Sequence, residues 1–411
     1  MKDKADTAGQ PAPQPGAGFV ALVTALTALG SVSVSVYVPS LPAIAREFSA
    51  SAGAVKLTLT AFLVAFAAVQ LAYGPTSDRF GRRPPILVGL AIYIAGSLAC
   101  AVAQTTAELT AARVLQALDA GAGPALGRAV LRDRLEGPRL AATLAVVSSA
   151  VALSPALGPV LGGFVQVWVG WRSGFLLLAA LGAALFLACH RWLAESDTHP
   201  DPNALHVRAV VVHYRALLGD ARYVALLLAG GLVAACNFAW TAGAPFVFVD
   251  LLGFRPDAYG VANLGVGASY VAGTLAVMRL GGRIAPGHML FAGAALAMTG
   301  GAALVGTSLA AAPGAADLIA AMALVALGMG ITVPVSAAGA LSRHPEMAGA
   351  AAALLGAGQI AIGAGVTAIL SALGGARTPL PMASLVALCA ALSLGSVAAA
   401  QARAAAAATR P

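Results

Sequence analysis

Charge is what this sequence has least of. Only 10% of its 411 residues are Asp, Glu, Lys or Arg, against about 25% in a soluble globular domain, so water cannot be the main solvent of its surface. Cysteine is scarce too. Cys100, Cys189, Cys236 and Cys389 fall within or at the ends of apolar runs, with no paired spacing, which argues against a disulfide or metal framework and for small buried hydrophobes. The histidines at 190, 199, 206, 213, 288 and 344 lie in loops or at run ends, and no spacing suits a metal. A phosphate-cradling glycine–lysine loop is also missing. No enzyme, no cofactor and no ATP-driven pump is therefore expected of this chain alone. Rarest of all is acid deep inside the apolar runs, where Asp119 stands by itself.

Long hydrophobic runs are what the sequence has in abundance. They are rich in Ala, Leu, Val and Gly and about 20 residues long, enough to cross a hydrocarbon core of roughly 30 Å. Lipid leaves the backbone only the helix or the closed barrel, and continuous runs of this composition are helices. Twelve spans are predicted, at 18–40, 54–74, 85–104, 107–131, 140–166, 171–190, 223–247, 258–279, 288–308, 316–338, 347–372 and 380–400. The net charge of +8 comes from arginines concentrated in alternate loops. Arg79, Arg82 and Arg83 form the first group; Arg128, Arg132, Arg134 and Arg139 the second; Arg191, Arg208, Arg215 and Arg222 the third, followed by Arg279, Arg283 and Arg343. The other loops carry only Arg46, Lys56, Arg172, Arg255 and Arg377. By the positive-inside rule the arginine-rich loops and both termini are cytoplasmic. The charge reflects topology, and no nucleic-acid partner is expected.

The longest polar stretch divides the chain into halves. The expected order is a disordered cytoplasmic tail at 1–17, a six-helix bundle at 18–190, a cytoplasmic linker at 191–222, a second six-helix bundle at 223–400 and a tail at 401–411. The halves echo one another, because Arg279-Leu280-Gly281-Gly282-Arg283 follows the second span of its half as Arg79-Phe80-Gly81-Arg82-Arg83 follows that of the first. Such a repeat is expected of a duplicated transporter. The second copy has no acid matching Asp78.

Four motifs point to function. Gly74-Pro75-Thr76-Ser77-Asp78-Arg79-Phe80-Gly81-Arg82-Arg83 sets an acid and an arginine between two glycines, with two more arginines directly after the second, at the end of the second span. Its glycines permit tight approach or positive φ, and Asp78 can accept from helix N-termini or pair with an arginine. It closely resembles the loop between the second and third helices of the major facilitator superfamily, which implies a twelve-helix, all-α membrane fold of two pseudo-symmetric bundles and a latch formed by Gly74, Asp78, Arg79, Gly81, Arg82 and Arg83. The run Gly158-Pro159-Val160-Leu161-Gly162-Gly163 resembles the Gly-Pro element of that superfamily's drug:proton antiporters, and small residues at this spacing let helices touch backbone to backbone. Arg113-Val114-Leu115-Gln116 resembles the fourth-helix motif, with Ala117 where glycine is usual. Ser35-Val36-Tyr37-Val38-Pro39-Ser40-Leu41-Pro42 is similar to the first-helix element of the bicyclomycin and chloramphenicol/florfenicol resistance subgroup, with Ser35 in place of its membrane aspartate.

That departure moves attention to Asp119. It lies about 9 Å along the helix from Arg113 at 1.5 Å per residue, and a carboxyl in a low-dielectric span can alternate between neutral and charged forms, as a proton carrier must. Gln116, one turn away, is placed to hydrogen-bond it. A purely structural role, tied to a neighbouring helix or paired with Arg113, is the alternative. Substrate contacts are expected from Ser35, Tyr37, Phe62, Phe66, Asn237, Phe238, Trp240 and Gln359, because aromatics and isolated amides in mid-membrane suit flat, weakly charged ligands. The resulting expectation is a monomer in the bacterial inner membrane exporting small amphipathic drugs, phenicol- or bicyclomycin-like, in exchange for protons. A symporter or uniporter of a sugar or organic acid is the nearest alternative, and a membrane sensor or enzyme the more remote one.

Overall fold

A computed structural model describes residues 16–197, 207–310, 312–374 and 378–408, and all regular structure among them is helical. The first half comprises α1 (Ala17–Glu47), α2 (Ala52–Phe80) and α3 (Arg83–Val102), then α4 in two parts (Thr106–Ala120 and Ala122–Arg134), α5 (Gly137–Trp168) and α6 (Trp171–Trp192). The second comprises α7 (Ala221–Leu251), α8 (Pro256–Leu280), α9 (Pro286–Ser308), α10 (Ala315–Leu341), α11 (Pro345–Ala372) and α12 (Leu380–Ala402). Eleven of these are long and apolar enough to cross a membrane. The twelfth is α4, interrupted at Gly121, whose two parts fill the place of the fourth expected span. An even number of alternating spans returns the chain to the side on which it began, called here the terminal side, with the opposite side called far.

The polar caps sit where the sequence changes character. Ser51 accepts from the amide of Ala54 at 3.2 Å and starts α2. Thr105 accepts from Glu108 at 3.1 Å, while Glu108 accepts from the amide of Gln104 at 2.8 Å, so the two satisfy open donors at the start of α4. The linker expected at 191–222 is partly helical. Val207–Gly219 forms a helix whose Leu217 is buried against the second half, and 198–206, with His199, Asp201 and His206, lie outside the described residues. So do 1–15, most of the expected N-terminal tail, and Arg377. The last helix continues into the expected C-terminal tail, to Ala408.

Packing follows the logic of a lipid solvent, in which apolar contact alone gives little and close approach of small residues gives more. Gly158 and Gly162 bring α5 onto Ser35 and Val36 of α1 within the first half, with no room for a Cβ. One residue on, Gly163 faces Pro256 and Asp257 of α8, and Gly260 of α8 faces Pro159 and Val160 in return. The Gly-Pro element is therefore two-faced, holding its own bundle together and forming a reciprocal glycine contact with the other. Elsewhere the halves meet along α2 and α11, where Thr60 donates to Thr367 at 3.0 Å and Lys56 Nζ to the carbonyl of Gly374 at 3.3 Å, with Lys56 also 5.2 Å from the ring centre of Phe246. Arg46 pairs with Asp250 at 2.6 Å. These ties all lie on the far side. Lys56, counted above as a loop charge, is 2% exposed within the seam.

Candidate functional site

Between the halves lies a two-lobed cavity. Its larger lobe, ≈ 380 Å³, runs from Phe66, Asn237 and Phe238 at mid-depth to Arg128 and Leu144 toward the terminal side. The smaller, ≈ 150 Å³, reaches toward the far side past Ser35 and Trp240 and shares Phe66, Asn237 and Phe238 with the larger. Both halves supply walls. Asn263 joins them, accepting from Trp240 Nε1 at 2.9 Å and donating to the Pro155 carbonyl at 3.3 Å, at the point where α8 is briefly interrupted.

Six of the eight expected contact residues line this space, namely Ser35, Phe66, Asn237, Phe238, Trp240 and Gln359. Asn237 and Gln359 line the cavity and hydrogen-bond no other described residue. Tyr37 and Phe62 do not line it. Tyr37 hydrogen-bonds Thr58 at 2.6 Å, and with Phe62 it packs around Arg113 inside the first bundle. An apolar helix carries aromatics on several faces, and Tyr37 and Phe62 stand on faces turned to Arg113 and not to the cavity. Sequence reasoning missed Gln70 and Asn263, both amides in the cavity wall, and Gln70 Oε1 is buried without a partner. Both are amides within expected spans, the same signal that marks Asn237 and Gln359.

Arg113 is fully buried and has no carboxylate within ion-pair distance among the described residues. Its guanidinium lies 4.0 Å from the ring centre of Phe62, 4.6 Å from that of Tyr37 and 5.9 Å from that of Phe175. It donates to Gln116 Oε1 at 2.6 Å, and Gln116 Nε2 donates to Ser97 at 2.8 Å. Aromatic faces thus replace a counter-ion, each worth about 2 kcal/mol when desolvated. The expected bond from Gln116 to Asp119 is not made, because Arg113 and Ser97 occupy both ends of that amide. Asp119 is 2% exposed, its Oδ1 has no partner, and it occupies the space left by Gly89 of α3 beside the Tyr73 hydroxyl. None of Arg113, Gln116 and Asp119 lines the cavity. The nearest link is the break in α4, where Gly121 packs on the backbone of Phe66 and Gln70.

The motif after α2 is less a loop than expected. The helix continues through Phe80, so Gly74 is helical with open space around it and supplies neither close contact nor positive φ. Gly81 does take φ +82°, and a side chain there would also strike Glu195. Glu195, not Asp78, caps the next helix, accepting from the amides of Arg82 and Arg83 at 2.7 and 3.0 Å. These hydrogen bonds outweigh partial burial and hold the Glu195 carboxyl below its ordinary value. Asp78 pairs with Arg82, which also meets Asp133 at 3.1 Å and Asp197 at 3.9 Å. Arg83 donates to the His190 carbonyl at the end of α6 at 2.7 Å, and Arg79 lies over the Phe80 ring. These partners of Arg82 and Arg83 come from the first half, so the cluster clamps α2, α3, α4 and α6 together instead of bridging the bundles. In the second copy Arg279 and Arg283 form no ion pair among the described residues. That half is fastened through Asp220, which caps α7 and holds Arg343 at 2.8 Å and His344 at 3.1 Å.

Two helical bundles joined by a linker, with a cavity shared between them at mid-depth and ties on one side, define a multi-pass membrane transporter. The chain belongs to the Major Facilitator Superfamily, whose profile matches residues 22–366. It is 30% identical to multidrug resistance protein D of Escherichia coli (strain K12) over 56% of this chain and 58% of that protein. It is 28% identical to a chloramphenicol resistance protein of Pseudomonas aeruginosa over 82% of this chain and 80% of the relative. A crystal structure of a D-xylose–proton symporter superposes with a TM-score of 0.73 at 14% identity, covering 92% of this chain and 96% of that one, and shares the fold.

Proposed function

We propose that the protein exports small amphipathic drugs, phenicol- or bicyclomycin-like, from the cytoplasm by antiport with protons across a bacterial inner membrane. The observation that carries this reading is the cavity, where the aromatic faces of Phe66, Phe238 and Trp240 stand beside the amides of Asn237, Asn263 and Gln359. Such walls suit a flat ligand with a few hydrogen-bonding groups. The names of the two relatives point the same way. The positive-inside rule makes the arginine-rich terminal side cytoplasmic, so the cavity extends toward the cytoplasm while the far-side ties close the periplasmic side. Rocking of the bundles would break those ties and present the ligand outside.

Asp119 is the proposed proton carrier, assisted by Arg113 and Gln116. Lying outside the cavity, it would act on the ligand through the α4 break and the backbone of Phe66 and Gln70. The Arg82 cluster, in the role proposed for the latch, keeps the first bundle rigid as it moves. Accumulation of labelled chloramphenicol in drug-sensitive cells tests the scheme. Wild-type protein should lower accumulation, and a protonophore or Asp119→Asn should restore it. Export that survives both would refute proton coupling through Asp119, and no protection across a broad drug panel would refute the efflux reading.

A further inference from the structure

The sequence groups Arg128 with loop arginines that hold the terminal side in place, but the fold puts it in the wall of the larger lobe. Its Nε donates to the carbonyl of Pro124, four residues back, at 2.7 Å, which pins the side chain along α4 instead of letting it reach outward past the helix end. No carboxylate lies within 4 Å of it among the described residues. It is also the one charged side chain among the described residues lining either lobe, the other polar groups there being neutral amides and hydroxyls. The ligand space therefore has a formal charge of +1, without an acid to offset it.

We propose that Arg128 makes the cavity selective by charge, admitting neutral and anionic amphipathic molecules and rejecting lipophilic cations. The proposal rests on the cavity being the drug site. A carboxylate drawn into the lobe meets a planar fork of donors whose terminal nitrogens have no acidic partner. A quaternary ammonium meets the same charge in a low-dielectric space and finds no acid to balance it, so the interaction is repulsive and poorly screened. Neutral ligands lose nothing. The aromatic walls by themselves would favour cations, so the sign of the discrimination depends on Arg128.

Binding to the purified full-length protein in lipid nanodiscs, measured by calorimetry near neutral pH, separates the possibilities without depending on flux. The probes are 1-naphthylacetamide, 1-naphthylacetate and (1-naphthylmethyl)trimethylammonium, alike in ring and size but different in charge. The wild type should bind the amide and the carboxylate and take the ammonium at least about tenfold more weakly, the scale of one partly screened charge interaction. Arg128→Gln should weaken the carboxylate about tenfold relative to the amide and improve the ammonium relative to it, and Arg128→Lys should retain most of the wild-type order. Retained amide binding also reports that the Gln variant is folded. Equal binding of all three by the wild type, or a carboxylate affinity indifferent to Arg128→Gln, would overturn the charge filter alone. Binding of none of the three would overturn the drug-site reading along with it.

Discussion

Gly162 and Gly163 are neighbours in sequence, yet adding one methyl group to each should have different consequences. A Cβ at Gly162 would lie 2.8 Å from the carbonyl carbon of Val36 in α1, inside the first bundle, which travels as a unit. A Cβ at Gly163 would lie 2.9 Å from Asp257 Cα and from the carbonyl carbon of Pro256 in α8, across the seam between the halves. Backbone offers no flexible end to move aside, so each clash costs about 1–3 kcal/mol. In Gly162→Ala that strain is present in every conformation and appears as lost stability. In Gly163→Ala it is present only while the far side is closed and vanishes on opening, so it multiplies the opening equilibrium about 5- to 150-fold. The assay is a spin-label distance between Val169→Cys and Leu309→Cys. Both positions are exposed on the far side, on opposite halves, and the native cysteines are all buried. Gly163→Ala should add or enlarge a long-distance population with little change in melting temperature, and Gly162→Ala should lower the melting temperature with the distances unchanged. Equal melting losses with identical distance distributions would refute the assignment of the two faces.

Three other outcomes follow from the charged clusters. Partial burial would raise the Asp220 carboxyl, but hydrogen bonds from Arg343, the Arg222 amide and His344 bring it down to about 2. A depressed folded value gives stability that is present above the ordinary carboxylate range and lost as pH falls from there to about 2, so melting curves of wild type and Asp220→Asn should differ at neutral pH and converge in acid, and a constant gap would contradict this. Arg82→Lys cannot reproduce a fork that meets three acids, so it should impair export and lower thermal stability, whereas Arg279→Lys in the unpaired second copy should leave both unchanged; equal effects would refute the asymmetry. Lys56→Met removes the donor to Gly374 and the cation over Phe246, so thiol labelling of Thr367→Cys from the far side should quicken severalfold, and unchanged labelling would show that the tie does not hold the seam.

Helix order was legible because each apolar run is bounded by charge or a capping residue, and the ends of α3 and α6 fall within two residues of the runs that predicted them. Less legible was which way a residue faces. These helices are apolar nearly all round, so nothing in their pattern separates the cavity face of Phe66 from the buried face of Phe62 one turn away. Proximity to a span end also fails to say whether an arginine reaches bulk water or an internal space, and Arg128, grouped by sequence with the loop arginines, lines the cavity. The motif after α2 misled in a third way. Its polar residues suggested a loop from Gly74, but a helix emerging from a membrane can carry charge for another two turns, and only Gly81, where φ is positive, ends it.

The separation between Asp119 and the cavity has a bearing on how resistance can change. Phe66, Phe238, Asn237 and Gln359 line the cavity proposed to hold the ligand, while the acid proposed to couple transport to protons is enclosed within one bundle by α2, α3 and α4. Substitutions that reshape the cargo compartment therefore need not disturb the energy source. If the protein exports drugs as proposed, selection by a new antibiotic could work on the wall one residue at a time and keep a working exporter at each step.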